Sequence, residues 1–165
     1  MNKVSANYII KWIIFAAIAS ISGLSLTYFF IYALDKITLF TTQTNSYYIL
    51  LPLLAPILCK YFAYSISPEA SEEGVLSYLN SVNEKFGDLP FKVTIFKFIA
   101  AIITLACNLS GGIVGPLVRV NSGVTSFIGK QKFIKKFQID HEDKRTFVIC
   151  GASAIVAAVF HAPLS

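Results

Sequence analysis

Three stretches of this chain carry no charge over lengths that few soluble folds tolerate: residues 12–34, 98–118 and 146–165, of 23, 21 and 20 residues. Each meets the roughly 18–20 apolar residues a helix needs to cross a bilayer. Only 14% of the residues are charged and 55% are hydrophobic, whereas soluble domains carry about a quarter charged. The chain therefore reads as one all-α integral membrane domain over residues 1–165. The first run is no secretory signal, whose apolar core is about 7–15 residues; it continues through Tyr28, Phe29, Phe30 and Tyr32.

The net charge of +5 does not point to nucleic acid. Lys130, Lys132, Lys135 and Lys136, with Lys144 and Arg145 beyond, lie between two apolar segments and form no interleaved aromatic platform. That placement fits a cytoplasmic loop under the positive-inside rule. Cys59, Cys107 and Cys150 fall inside apolar runs. An odd count without metal-like spacing implies neither disulfide framework nor zinc, and the bland reading is small buried thiols. No metal or cofactor is expected. Nor is enzyme chemistry: no nucleophile–base pair or convergent carboxylates stand out.

Periodicity and breakers place a first helix over about residues 8–34, with Ser20, Ser22, Gly23 and Ser25 as a candidate small-residue face. An uncharged polar connection at 41–46 and a second helix over 47–65, kinked by Pro52 and Pro56, follow. "SPEASEEGVLSYLNSVN" has Pro68 at a helix start with Glu69, Glu72 and Glu73 close behind, and is too polar and short to span. It reads as an interfacial or re-entrant helix. Further helices are expected over 90–109, 117–128 and 144–160, the last two joined by the charged link 130–145. With a cytoplasmic N-terminus, the links at 60–92 and 130–145 are internal and hold most basic residues. The setting expected is a bacterial inner membrane or its equivalent.

One segment resists this scheme. "LSGGIVGPLVRVNSG" puts four glycines, a proline, an arginine and an asparagine beside apolar runs. Non-helical backbone at membrane depth is tolerated only where protein or a wet cavity surrounds it. A glycine-rich turn entering a helix exposes N–H groups at the helix's positive end, which suits an anion without a charged side chain. Gly111, Gly112 and Gly115 permit close approach, and Pro116 suits a first helical position. Many ordinary loops share the pattern.

"GGIVGPLVRVNSG" resembles the G-[RK]-E-G-P segment of the CLC chloride channel and transporter family, with Gly112, Ile113, Val114, Gly115 and Pro116 in the motif positions. "SPEASEEGV" resembles that family's run at the central anion site. "CGASAIVAAVFHAPLS" resembles its "GAAAGLAAAFNAPLAG". The resemblance implies the first half of an inverted-repeat fold with spanning, tilted and re-entrant helices. It also implies chloride or a similar small anion held by backbone amides where helix N-termini meet. Glu73, Gly74 and Val75 would form one terminus, and Gly112 to Pro116 the other. A homodimer, or a chain supplying the second half, would be the partner within the lipid bilayer.

Several positions depart from the family pattern. Its gating glutamate is Val114, so proton coupling is not expected. Glu73 stands where a serine often faces chloride, and Glu72 and Leu76 replace a glycine and a proline. Glu73 is protonated, or turned away as a solvated helix-start acid, or the site no longer binds chloride. Arg119 stands where relatives often have glutamine; it either enriches anions near a mouth or pairs with a lipid phosphate. His161, in place of an asparagine, is a helix-entry polar residue or a pH-sensitive group. His141 is expected to be solvated.

The resemblance covers most of the family's first half, so residues 1–165 are expected to be a truncated N-terminal portion of a transport domain. Three readings remain: an anion channel or transporter segment; a degenerate relative that inserts without transport, as a structural or accessory chain; or an unrelated multi-span protein whose glycines serve packing.

Overall fold

The computed structural model describes residues 6–43, 56–57, 60–61, 74–107, 111–131 and 140–162. The described elements are helices: α1 (Ala6–Gln43), α2 (Gly74–Glu84), α3 (Phe91–Ala106), α4 (Val114–Gly129) and α5 (His141–Phe160). Of the second helix expected over 47–65 only residues 56–57 and 60–61 are described, and these are helical; the opening of "SPEASEEGV", Glu73 included, lies outside the described residues.

The burial pattern of α1 shows how it is used. Lys11, Phe15, Ala19, Gly23, Thr27 and Phe30 are buried, while Ile13, Ile21, Leu24, Tyr28 and Tyr32 are exposed. A four-residue repeat places the first set on one stripe of the helix. Of the expected small-residue face only Gly23 enters the contact; Ser20 and Ser25 are exposed, and the Ser22 hydroxyl donates to Ala19 O. The helix also runs through Asp35 and Lys36 to Gln43, past the expected end near residue 34. No glycine or proline interrupts residues 24–43, and both charged side chains lie on the exposed side.

α4 is the central strut, packed against all four other helices. Its residues Leu117 to Gly123 are all buried, among them Arg119, Asn121 and Ser122. Much of the exterior is apolar instead, with Ile13, Ile21, Tyr28 and Leu76 each at least half exposed. Polar groups inside and large apolar side chains outside invert the usual soluble arrangement.

Glycines set how closely the helices approach. A Cβ on Gly123 would fall 2.0 Å from Thr94 Oγ1 on α3, and one on Gly151 of α5 would fall 2.6 Å from Thr125 Oγ1. Where lipid replaces water outside, helix association rests on close packing and interhelical hydrogen bonds more than on hydrophobic burial.

Helix starts differ from the sequence expectation by three residues in two places. α4 begins at Val114 with Ile113 as N-cap, so Pro116 is its third residue. That position is tolerated because a first-turn N–H lacks a helical acceptor anyway. α5 begins at His141 because Asp140 caps it, accepting from His141 N while Asp143 accepts from Asp140 N. His161, expected at a helix entry, is the C-cap of α5 with φ 52°.

One helix, over Tyr8–Leu39, is long and apolar enough to cross a membrane among the described residues. The run 98–118 does not become one uninterrupted span, being divided between α3 and α4. α3 and α4 have 16 residues each, about 24 Å at 1.5 Å per residue, against a hydrocarbon core of about 30 Å.

Candidate functional site

The site expected from the glycine segment is built where α2 and α4 begin. A Cβ placed on Gly74 would lie 2.9 Å from Gly115 O, 3.1 Å from Gly115 C and 3.4 Å from Pro116 N. One placed on Gly115 would lie 3.5 Å from Val75 Cγ2. Two helix starts distant in sequence thus meet backbone to backbone. Such an approach requires Gly74 to lack a side chain.

The donors there follow from helix geometry. The N–H groups of Ile113, Val114 and Gly115 precede the first intrahelical bond, Leu117 N–H to Ile113 O at 3.4 Å. Pro116 has no N–H and adds only rigidity. The positive end of the α4 dipole lies at this edge, with no acidic residue in the first turn.

Not every expected residue joins. Gly74 is buried and Val75 partly exposed. Gly112 is exposed, and a Cβ on it would meet nothing within 4 Å, so it takes no part in the junction. Ile113 is 38% exposed. Val114 packs against the cluster of Phe30, Ala101, Leu117, Val118, Ala152 and Ile155. The position read as a gate therefore serves the apolar core.

Arg119 sits inside the protein, 2% exposed. Its Nε donates to Ser77 Oγ at 3.0 Å and its Nη1 to Thr94 Oγ1 at 3.4 Å, joining α2 and α3 through α4. Burial removes it from lipid headgroups, which corrects that alternative. A cavity of about 180 Å³ beside it is lined also by Glu84 and Asp88, so the field there has both signs. Sequence reasoning missed these partners, since nothing in the spacing pairs residue 119 with 77 or 94. It also missed Asn121, whose Nδ2 donates to Gly151 O at 2.8 Å across α4 and α5.

The opposite end is ionic. Lys11 pairs with Asp143, and Lys130 with Asp88. Leu89 N donates to Ser126 Oγ at 3.1 Å. His141 is exposed, as expected, with its ring centroid 5.6 Å from that of Phe86. Among the described residues no three His, Cys, Asp or Glu side chains gather to hold a metal. Cys107 and Cys150 are free thiols, each partly rather than fully buried; Cys59 lies outside the described residues.

Comparison with known proteins adds identity to this geometry. Residues 51–165 match the family model described as voltage gated chloride channel. Chloride channel protein CLC-a of Arabidopsis thaliana is 30% identical over 128 residues, covering 69% of this chain and 16% of that protein. Chloride channel protein CLC-b of the same plant is 32% identical, with 69% and 15% covered. Chloride channel protein D of Dictyostelium discoideum is 32% identical over 129 residues, with 71% and 13% covered. The chain thus spans 13–16% of the length of these relatives. No solved structure matches. The chain belongs to the voltage gated chloride channel family, and its apolar exterior is accordingly a surface for lipid.

Proposed function

We propose that this chain is a segment of a CLC-type channel or transporter for chloride or a similar small anion, rather than an enzyme. The observation that carries the reading is the meeting of the α2 and α4 starts at Gly74 and Gly115. In this reading the amides of Ile113, Val114 and Gly115, with those of Glu73, Gly74 and Val75, hold the anion. Stabilisation comes from backbone N–H groups and the helix dipole, so the anion is held without a full counter-charge and can leave. Gly112 and Pro116 shape the turn. A second copy, or further chain, completes the walls.

Val114 cannot ionise, so conduction would proceed without proton exchange. The basic residues Lys11, Lys85, Lys130 and Lys144 gather at the end opposite Gly115. That asymmetry supports a cytoplasmic N-terminus, with the glycine segment toward the external side.

The test is chloride efflux from loaded liposomes after adding a potassium ionophore. Flux above that of empty vesicles, without accompanying proton movement, is expected. Val114→Glu should reduce it, because a carboxylate competes for the amides. Unchanged flux in that variant would mean the pore lies elsewhere. A second reading, a membrane-inserted accessory chain without transport, is supported by Val114 packing into the core rather than guarding a path. Absence of flux above empty vesicles decides for it.

A further inference from the structure

At the basic end of the fold, three separate elements enclose a cavity of about 190 Å³: the turn between α2 and α3, the C-terminal end of α4, and the first turn of α5. Lys85 comes from the first, Lys130 from the second, and His141 and Lys144 from the third. One acid, Asp88, lines it among the described residues, and that acid is already paired with Lys130. Three lysines against one acid give the cavity an excess of positive charge. Its lining is also aromatic, from the half-exposed Phe86 and the buried Phe147.

The wall is preformed. Gly87 N donates to Ser81 O at 2.9 Å, Ser81 Oγ to Asp88 O at 3.1 Å, and Leu89 N to Ser126 Oγ at 3.1 Å. Phe86 adopts φ 49° and Gly87 φ 76°. A left-handed aromatic residue is uncommon and persists only where its surroundings hold it. Here it brings the Phe86 ring beside the His141 ring, over the cavity. A Cβ on Gly87 would fall 3.1 Å from Val148 Cγ2, so the turn cannot relax by substitution there.

We propose that this cavity is a binding site for a phosphoryl anion, a phosphate group carrying a short organic portion. A phosphate offers several strong acceptor oxygens and about −1.5 to −2 charge, which ammonium groups arriving from three elements can meet at once. The aromatic wall accommodates the attached carbons. The site is separate from the Gly74–Gly115 junction and does not rest on the conduit reading. As topology markers alone, these lysines would have no reason to converge on one cavity. An anionic phospholipid headgroup and a soluble phosphate share the chemistry required.

The experiment is titration calorimetry on the detergent-purified protein with two probes, dioctanoyl phosphatidic acid and inorganic phosphate, using dioctanoyl phosphatidylcholine as blank. Binding of phosphatidic acid that inorganic phosphate does not displace identifies a lipid headgroup. Displacement at comparable concentrations identifies a soluble phosphate. The double variant Lys85→Gln/Lys144→Gln should weaken the probe that binds by about tenfold, equivalent to about 1.4 kcal/mol. Lys92→Gln, an exposed lysine at the same end but outside the cavity, should change it by less than about twofold. Should the double variant fail to fold, each single variant must weaken binding by about threefold, half the effect on a logarithmic scale. Neither probe exceeding the blank, or Lys92→Gln losing as much as the double variant, would overturn the proposal.

Discussion

The two ends of α4 solve opposite problems. At its N-terminal end the contact with α2 is backbone against backbone through Gly74 and Gly115, and no ion pair is recorded there among the described residues. At its C-terminal end Lys130 N–H donates to Phe127 O and Gln131 N–H to Ile128 O, while Lys130 pairs with Asp88. The carbonyl pole is thus bonded and faced by a cation, as a helix dipole prefers. The amide pole has neither acid nor side-chain cap. One end of the helix is thus satisfied locally and the other is left open, and the proposed conduit rests on that difference.

The sharpest way to break this contrast is Gly74→Val. Its Cβ would meet backbone atoms that cannot move aside, so α2 and α4 must separate, at a cost of about 3 kcal/mol. Thermal unfolding in detergent should fall by several degrees, and liposome efflux should vanish. Next is Arg119→Met, which leaves the Ser77 and Thr94 hydroxyls without this donor. A loss of about 2 kcal/mol is expected, read as a lower melting temperature. At the ionic end, Asp143→Ala removes both the Lys11 pair and half of the α5 capping box. About 1–2 kcal/mol should be lost, and protease protection near residue 140 should fall before global unfolding.

Smaller still is Asp88→Asn. The Lys130 and Asp88 side chains are 45% and 61% exposed, so the pair is well screened and less than about 1 kcal/mol is expected. The difference from wild type should shrink further in high salt. The smallest effect belongs to Gly112→Ala, which meets open space and should change melting by less than about 0.5 kcal/mol. Two glycines expected in one site, Gly74 and Gly112, would then differ several-fold in consequence. Equal effects would mean that the close approach of α2 and α4 is not what the glycines provide.

Much of the candidate site's geometry was legible in the residues. The glycines before Pro116 announced a helix start exposing amides, and three separated motifs pointed to the family. The start of α5 was also available, since Asp140 and Asp143 stand at N-cap and N3 spacing, although the apolar run drew attention to residue 144. The start of α4 was not. A motif read as a loop up to Pro116 becomes helical from Val114, where Gly74 packs against its first turn. Val114 looked like an absent gate by motif position, and only packing shows it against the apolar cluster that contains Phe30 and Leu117.

The sequence by itself determined the class of molecule, because uncharged runs of twenty residues and a scarcity of charge leave few environments other than lipid. It also determined that an unusual helix start lies in the middle of the chain. Tertiary structure alone decided which glycines matter, where Arg119 finds its partners and which lysines share a cavity. The physical reason is the range of each effect. Hydropathy and breakers act through neighbours along the chain, whereas close approach, buried hydrogen bonds and converging charge depend on residues tens of positions apart.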